Sequence, residues 1–127
     1  MSDTVMDASA VLAFVQSEPG STTVAAAIAG AAMSTVNWSE VCKRLVAHAV
    51  EPRALRTRLN ALGLQLIPFG AEDAESAAAL WPTTRHAGLS LADRACLALA
   101  QRLGRPALTA DRSWLGLDVG VEVRAIR

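Results

Sequence analysis

The sequence predicts an α/β fold: one domain over residues 1–127, with a central, mostly parallel β-sheet flanked by α-helices on both faces. Two observations predict it. Short apolar runs alternate with stretches of helical periodicity from end to end, the strand–helix order that builds parallel sheets. A length of 127 residues and a hydrophobic content of 52% suit one core, and the chain shows no repeat, low-complexity segment or interdomain linker.

Taken in order, Val5 and Met6 form a short apolar strand that stops at Asp7. Ser9 offers a helix N-cap, and residues 10–14 read as helix. Glu18-Pro19-Gly20 is a break, after which Ser21 can cap a second helix over 22–29, closed by Gly30. Residues 31–35 form a second strand. Asn37 caps a third helix to about residue 50, with Trp38, Val41, Cys42, Leu45 and Ala49 at helical spacing. Pro52 suits the first turn of a fourth helix, which carries Leu55, Leu59 and Leu62 and stops at Gly63. Residues 64–67 form a third strand, halted by Pro68. Residues 71–80 form a helix whose acidic first turn, Glu72, Asp73 and Glu75, suits the helix dipole, and Trp81-Pro82 ends it. Ser90 caps the most hydrophobic helix, 91–103, closed by Gly104. A fourth strand at 106–109 leads to Asp111, a helical turn around Trp114 and Leu115, and a last strand over 119–126.

Twelve basic and twelve acidic residues give a formal charge of zero, which argues against a broad nonspecific polyanion binder and leaves room for a local basic groove. Aromatic residues make up only 4%, so the core is expected to consist of Ala, Leu and Val. Cys42 and Cys96 sit inside helical patterns without metal-type spacing and read as small buried hydrophobes of a reducing cytoplasm. The N-terminus shows no basic segment followed by an apolar run, and no uncharged apolar run reaches the ~20 residues of a membrane span. A cytoplasmic protein with no membrane attachment is expected.

Four acids sit where a parallel sheet gathers chemistry. Strand C-termini share one edge, and the helices that follow begin there, so Asp7, Glu40, Asp93 and Asp111 should converge. Each also has a structural reading. Asn37 to Glu40 and Ser90 to Asp93 have capping-box spacing, Glu40 is placed to pair with Arg44, Asp111 can be an N-cap, and Asp7 can stabilise a turn. Asp93 is hardest to read as purely structural, because Cys96, Leu97 and Ala100 place it along an apolar stripe, where a lone carboxylate is costly. At ~4 Å, each like-charge pair costs several kcal/mol at an intermediate dielectric, and a hard cation offsets this. Oxygen-only ligation points to Mg²⁺ or Mn²⁺, and Mg²⁺ at a cluster of carboxylates is the chemistry of phosphodiester cleavage.

The pieces Val5-Met6-Asp7-Ala8-Ser9-Ala10, Asn37-Trp38-Ser39-Glu40, residues 89–100 around Asp93, and residues 108–114 around Asp111 resemble the PIN-domain nucleases, and among them the VapC toxins of VapBC toxin–antitoxin modules. The resemblance covers essentially the whole chain. It implies a PIN fold and a Mg²⁺- or Mn²⁺-dependent endoribonuclease with Asp7, Glu40, Asp93 and Asp111 as its acidic quartet. Ser9 and Thr109 match supporting hydroxyl positions. It further implies homodimers, an RNA substrate, and neutralisation by a VapB-type antitoxin covering the acidic groove. Asp7 and Asp93, the most central acids, are expected as direct or near-direct metal ligands, with Glu40 and Asp111 holding metal-bound waters or a second ion.

Lys43, Arg44, Arg53, Arg56 and Arg58 gather in two consecutive helices and either bind phosphates or form a solvated face. Arg94 and Arg112 follow quartet acids and are candidate phosphate clamps, although adjacent helical residues diverge by about a quarter turn. His48 and His86 read as surface residues, and Trp38, Trp81 and Trp114 as packing or dimer contacts rather than base-stacking platforms. Two other functions compete with a toxin: a housekeeping RNA-processing PIN nuclease, and a receiver-like signalling domain. The second lacks the lysine it needs after the last strand, since Lys43 is the chain's only lysine.

Overall fold

The computed structural model describes residues 3–127. Residues 1 and 2, which enter the reading of the N-terminus, lie outside the described residues. Among the latter, β1 (Val5–Met6), β2 (Ala32–Ser34), β3 (Gln65–Ile67), β4 (Ala107–Thr109) and β5 (Val123–Ala125) form a sheet in the order β3-β2-β1-β4-β5, every neighbouring pair parallel. The connections carry α1 (Ala8–Val15), α2 (Ser21–Ala27), α3 (Thr35–Ala47), α4 (Pro52–Ala61), α5 (Ala71–Ala79), α6 (Trp81–Thr84) and α7 (Leu91–Leu103), with 3-10 turns at Arg85–Ala87 and Arg112–Trp114.

Side chains alternate across a strand, which divides the core in two. Met6, Met33 and Leu108 face Ala10 and Val11 of α1, Val24 of α2, Val41 of α3 and Leu59 of α4. Val5, Ala32 and Ala107 face Cys96, Leu97 and Ala100 of α7, with Trp114 beside them. Both faces of the central strands are therefore covered, and every residue of β1, β2 and β4 is buried. Outside α7 lies α5, tied to it where Arg102 Nε and Nη2 donate to the two oxygens of Asp73 at 2.9 and 3.3 Å.

The strand order creates the site. From β1 the chain moves outward to β2 and β3, then returns to place β4 on the other side of β1. The crevice beyond the C-terminal ends of β1 and β4 is a topological switch point, where open α/β sheets bind ligands. The order also differs from the 2-1-3-4-5 order of flavodoxin-like folds, to which receivers belong, and this sets the receiver-like alternative aside.

Several boundaries correct the sequence reading. Helix α1 begins at Ala8 with Asp7 in the N-cap position, so Ser9 is a first-turn residue and not a cap. Helix α2 begins at Ser21 behind Gly20. Helix α3 begins at Thr35, because Ser34 at the end of β2 is already a cap whose hydroxyl accepts from Val36 N–H at 3.2 Å. Asn37 therefore lies inside α3, its capping box with Glu40 does not form, and Glu40 falls in the second turn. No ion pair joins Glu40 to Arg44 among the described residues. Trp81-Pro82 opens the one-turn α6 instead of ending helical structure, since proline is tolerated in a first turn. The last strand shrinks to Val123–Ala125. The cap at Ser90, the αL stop at Gly104 and the start at Pro52 stand as read. No helix among the described residues is long and apolar enough to cross a membrane.

Candidate active site

Asp7 fills the turn between β1 and α1 and is only 5% exposed. Its Oδ2 accepts from the hydroxyls of Ser9 at 2.7 Å and Thr109 at 3.0 Å, and its Oδ1 from the amide Nδ2 of Asn37 at 3.3 Å. The hydroxyls are held in turn. Ser9 Oγ accepts from Ala110 N–H at 2.9 Å, and Thr109 Oγ1 from Asp111 N–H at 3.0 Å. Burial pushes the Asp7 carboxyl above its ordinary range; the hydroxyl hydrogen bonds oppose this, and the negative charge of Asp93 adds to it.

Asp93 lies in the first turn of α7, half-buried. Its Oδ2 accepts from Ser90 N–H at 2.9 Å while Ser90 Oγ accepts from Asp93 N–H at 3.2 Å, a reciprocal capping box. Burial raises its carboxyl too, the bonds from Ser90 lower it, and repulsion from Asp111 and Glu40 raises it again. Asp93 is thus the electrostatic centre of the cluster, felt by or feeling Asp7, Asp111 and Glu40. Asp111 caps the following 3-10 turn, its Oδ1 accepting from Ser113 N–H at 2.9 Å. Glu40 is exposed on α3. Below the cluster, the buried Cys96 thiol is pushed well up by burial and then by the charges of Asp7 and Asp93.

These residues line one cleft of about 380 Å³, with Asp7, Ser9, Glu40, Ser90, Asp93 and Asp111 as polar lining, Lys43 and Arg44 on its wall, and Ala8, Leu12, Ala47 and Ala92 as apolar lining. The four acids expected to converge do so, and Lys43 and Arg44 join them. Thr109 is fully buried behind Asp7. Arg94 and Arg112 do not take part. Arg94 Nη1 donates to Ala77 O at 3.0 Å toward α5, and Arg112 Nη1 to Arg127 O at 3.0 Å, since each side chain leaves its backbone away from its acidic neighbour. Arg53 and Arg56 line a separate 240 Å³ groove with Trp38 and Cys42, and Cys42 is only partly buried. Trp114 is core, whereas Trp81 is 48% exposed with the Arg85 guanidinium 5.0 Å from its ring centroid. His48 and His86 are exposed.

The donors are all oxygens, which suits a hard cation. Among the described residues no three His, Cys, Asp or Glu side chains form a ready-made cage. Mg²⁺ does not require one, since it keeps several waters and is bound through one or two carboxylates plus substrate phosphates. The residues present fit such an ion.

A family model described as the PIN domain matches residues 4–119. The chain belongs to the PIN domain family. PIN domains are nucleases, so the cleft is a candidate nuclease site. The PIN fold is also that of a toxin–antitoxin complex from Klebsiella pneumoniae (TM-score 0.78, 19% identity, 98% of each chain covered). It recurs in DNA-bound VapBC from Salmonella typhimurium (TM-score 0.66, 10% identity, 100% of each chain). It recurs again in VapBC-5, a VapBC-family toxin–antitoxin member from Mycobacterium tuberculosis (TM-score 0.59, 20% identity, 100% of this chain and 99% of that one). No curated protein matches the chain in sequence.

Proposed function

We propose that this PIN domain, residues 1–127 acting as one unit, is a Mg²⁺- or Mn²⁺-dependent endoribonuclease and the toxin of a VapBC-type pair. The observation that carries the reading is the single cleft that gathers Asp7, Glu40, Asp93 and Asp111 beneath Lys43 and Arg44. The low-identity likeness to toxin–antitoxin proteins over the whole chain supports the toxin assignment.

Asp7 and Asp93 hold the ion, with Glu40 and Asp111 completing its surroundings. A divalent cation bound there supplies a water acidified toward neutral pH and neutralises charge at the scissile phosphate. Ser9 and Thr109 anchor Oδ2 of Asp7. Lys43 and Arg44 take the phosphodiester backbone. Among the described residues no histidine lines the cleft, so it does not offer the histidine acid–base pair of metal-free attack by the RNA 2′-hydroxyl. Products with 5′-phosphate and 3′-hydroxyl ends follow. A VapB-type antitoxin covers the acidic cleft with a basic segment, the protein acts in the cytoplasm, and it forms homodimers.

The test is direct. Purified protein should cut RNA with Mg²⁺ or Mn²⁺, stop in EDTA, leave 5′-phosphate ends, and arrest growth when expressed without its antitoxin. Undiminished cutting in excess chelator, or 2′,3′-cyclic phosphate ends, rejects the mechanism. Active cutting without growth arrest rejects the toxin role and favours RNA processing.

A further inference from the structure

Asn37 is a buried polar side chain that touches the quartet without belonging to it. It is 0% exposed, inside α3 one turn before Glu40. Its Nδ2 donates in two directions, to Asp7 Oδ1 at 3.3 Å and to the backbone carbonyl of Ala92 at 2.9 Å. Those two acceptors fix the amide's orientation, because a flipped amide sets oxygen against oxygen. The amide Oδ1 is then left buried without a hydrogen-bond partner among the described residues. A buried unsatisfied acceptor is costly, and natural chains retain one where the other half of the group does something needed.

What Nδ2 does is join three elements. Asp7 lies at the end of β1, Ala92 immediately precedes Asp93 in the first turn of α7, and Asn37 shares α3 with Glu40. Three side-chain donors hold the two oxygens of Asp7, Ser9 and Thr109 on Oδ2 and Asn37 on Oδ1, and the backbone N–H of Ala8 adds a further contact to the carboxylate. Without Asn37 the carboxylate keeps its hydroxyl partners and gains freedom to turn about them.

We infer that Asn37 is a positioning residue, whose amide orients the Asp7 carboxylate and clamps the helix bearing Glu40 to the helix bearing Asp93. The inference rests on the proposed metal-dependent nuclease reading, and it makes the spacing of the acidic ligands depend on a neutral side chain that touches neither ion nor RNA.

The experiment uses the full chain with Asn37→Leu, which keeps the branching at Cγ, is larger and has no polar atoms. Asn37→Ala carries the same readouts where the leucine variant does not fold. Mn²⁺ binding is read by electron paramagnetic resonance without RNA, steady-state cleavage with RNA, and a crystal structure is taken metal-free. Outer-shell partners of metal ligands are worth about 10–100-fold, so the Mn²⁺ dissociation constant should rise about tenfold or more. The value of kcat should fall about as much while KM stays within about twofold, because Lys43 and Arg44 are untouched. The metal-free structure should show the Asp7 carboxylate turned or α3 displaced from Ala92. Unchanged Mn²⁺ affinity, or an unmoved Asp7 and α3, overturns the inference. If the unsubstituted protein binds no Mn²⁺, the nuclease reading fails, and the metal-free structure still decides whether Asn37 positions Asp7.

Discussion

Asp93 combines two roles in one carboxylate, and substitution separates them. One oxygen caps α7, while the charge sits amid Asp7, Glu40 and Asp111. Asp93→Asn keeps a carbonyl oxygen for the cap. It gives up an attraction to the helix N-terminus worth about 0.3–1 kcal/mol and relieves repulsion of similar size. In chelator its melting temperature should equal or exceed that of the unsubstituted protein, while cleavage falls by about a hundredfold or more. Asp93→Ala also removes the bond from Ser90 N–H and should cost about 0.5–1.5 kcal/mol, read as a melting temperature lower by several degrees. Equal losses in the two variants are the contrary result, since they make the charge itself the stabilising feature. The convergence of the four acids was legible in the sequence because Asp7 and Asp111 follow strands while Glu40 and Asp93 lie early in helical patterns, and local spacing reports that. Asn37 was not legible. Its three-residue spacing to Glu40 mimics a capping box, whereas its partners lie 30 and 55 residues away. Arg94 was misread as a candidate clamp for the same reason: the carbonyl it reaches, Ala77, belongs to a helix whose place against α7 no local pattern records.

At the scale of elements, the alternation of strands and helices was readable and the strand order was not. Strands of two or three residues carry too few side chains to specify neighbours. Their order is set by which helix faces find cover, and that is a property of the packed chain. Helix α7 was read at both ends, because the Ser90 cap marks its start and glycine in the αL region marks its stop locally at Gly104. Starts competed among several serines and asparagines, and the strand-end residue Ser34 won over Asn37. Two glycines show how much a stop can depend on its neighbours. Gly104 has φ +64 and open space around the position of a Cβ, so Gly104→Ala should cost about 1 kcal/mol from backbone conformation alone. Gly63 has φ +105, and a Cβ there meets Ala29 Cα at 2.9 Å, against backbone that cannot yield easily. Gly63→Ala should therefore cost clearly more, on the order of 2–4 kcal/mol. Denaturant melts of the two variants compare them, and equal midpoints imply that the α4–β3 turn shifts without penalty.

For the whole molecule, the acidic cleft should make stability depend on pH in an unusual direction. Carboxylates in most folds lie below their unfolded values and favour neutral pH. Asp7 and Asp93 lie above the ordinary value of 3.8, chiefly through burial, so the folded state holds their protons more tightly than the unfolded chain does. Between 3.8 and the raised folded values, the native state binds more protons, and stability falls as pH rises. With twelve basic and twelve acidic residues, overall charge repulsion changes little near neutrality and does not mask the effect. In chelator the protein should thus melt at a higher temperature at about pH 5 than at about pH 7.5. Mg²⁺ or Mn²⁺ should reverse the trend, since the ion needs both carboxylates ionised and competes with their protons. At about a hundred times its dissociation constant a ligand adds about 2.7 kcal/mol, so the gain from metal should be largest at the higher pH. Differential scanning calorimetry at the two pH values, with and without metal, reads four melting temperatures from one preparation. Asp7→Asn serves as the control, because removing the more deeply buried acid should flatten the chelator slope. A chelator profile that instead rises steadily toward neutrality means the hydrogen bonds to Asp7 outweigh its burial, and the cleft is then neutral ground for folding and not a site of stored repulsion that a cation relieves.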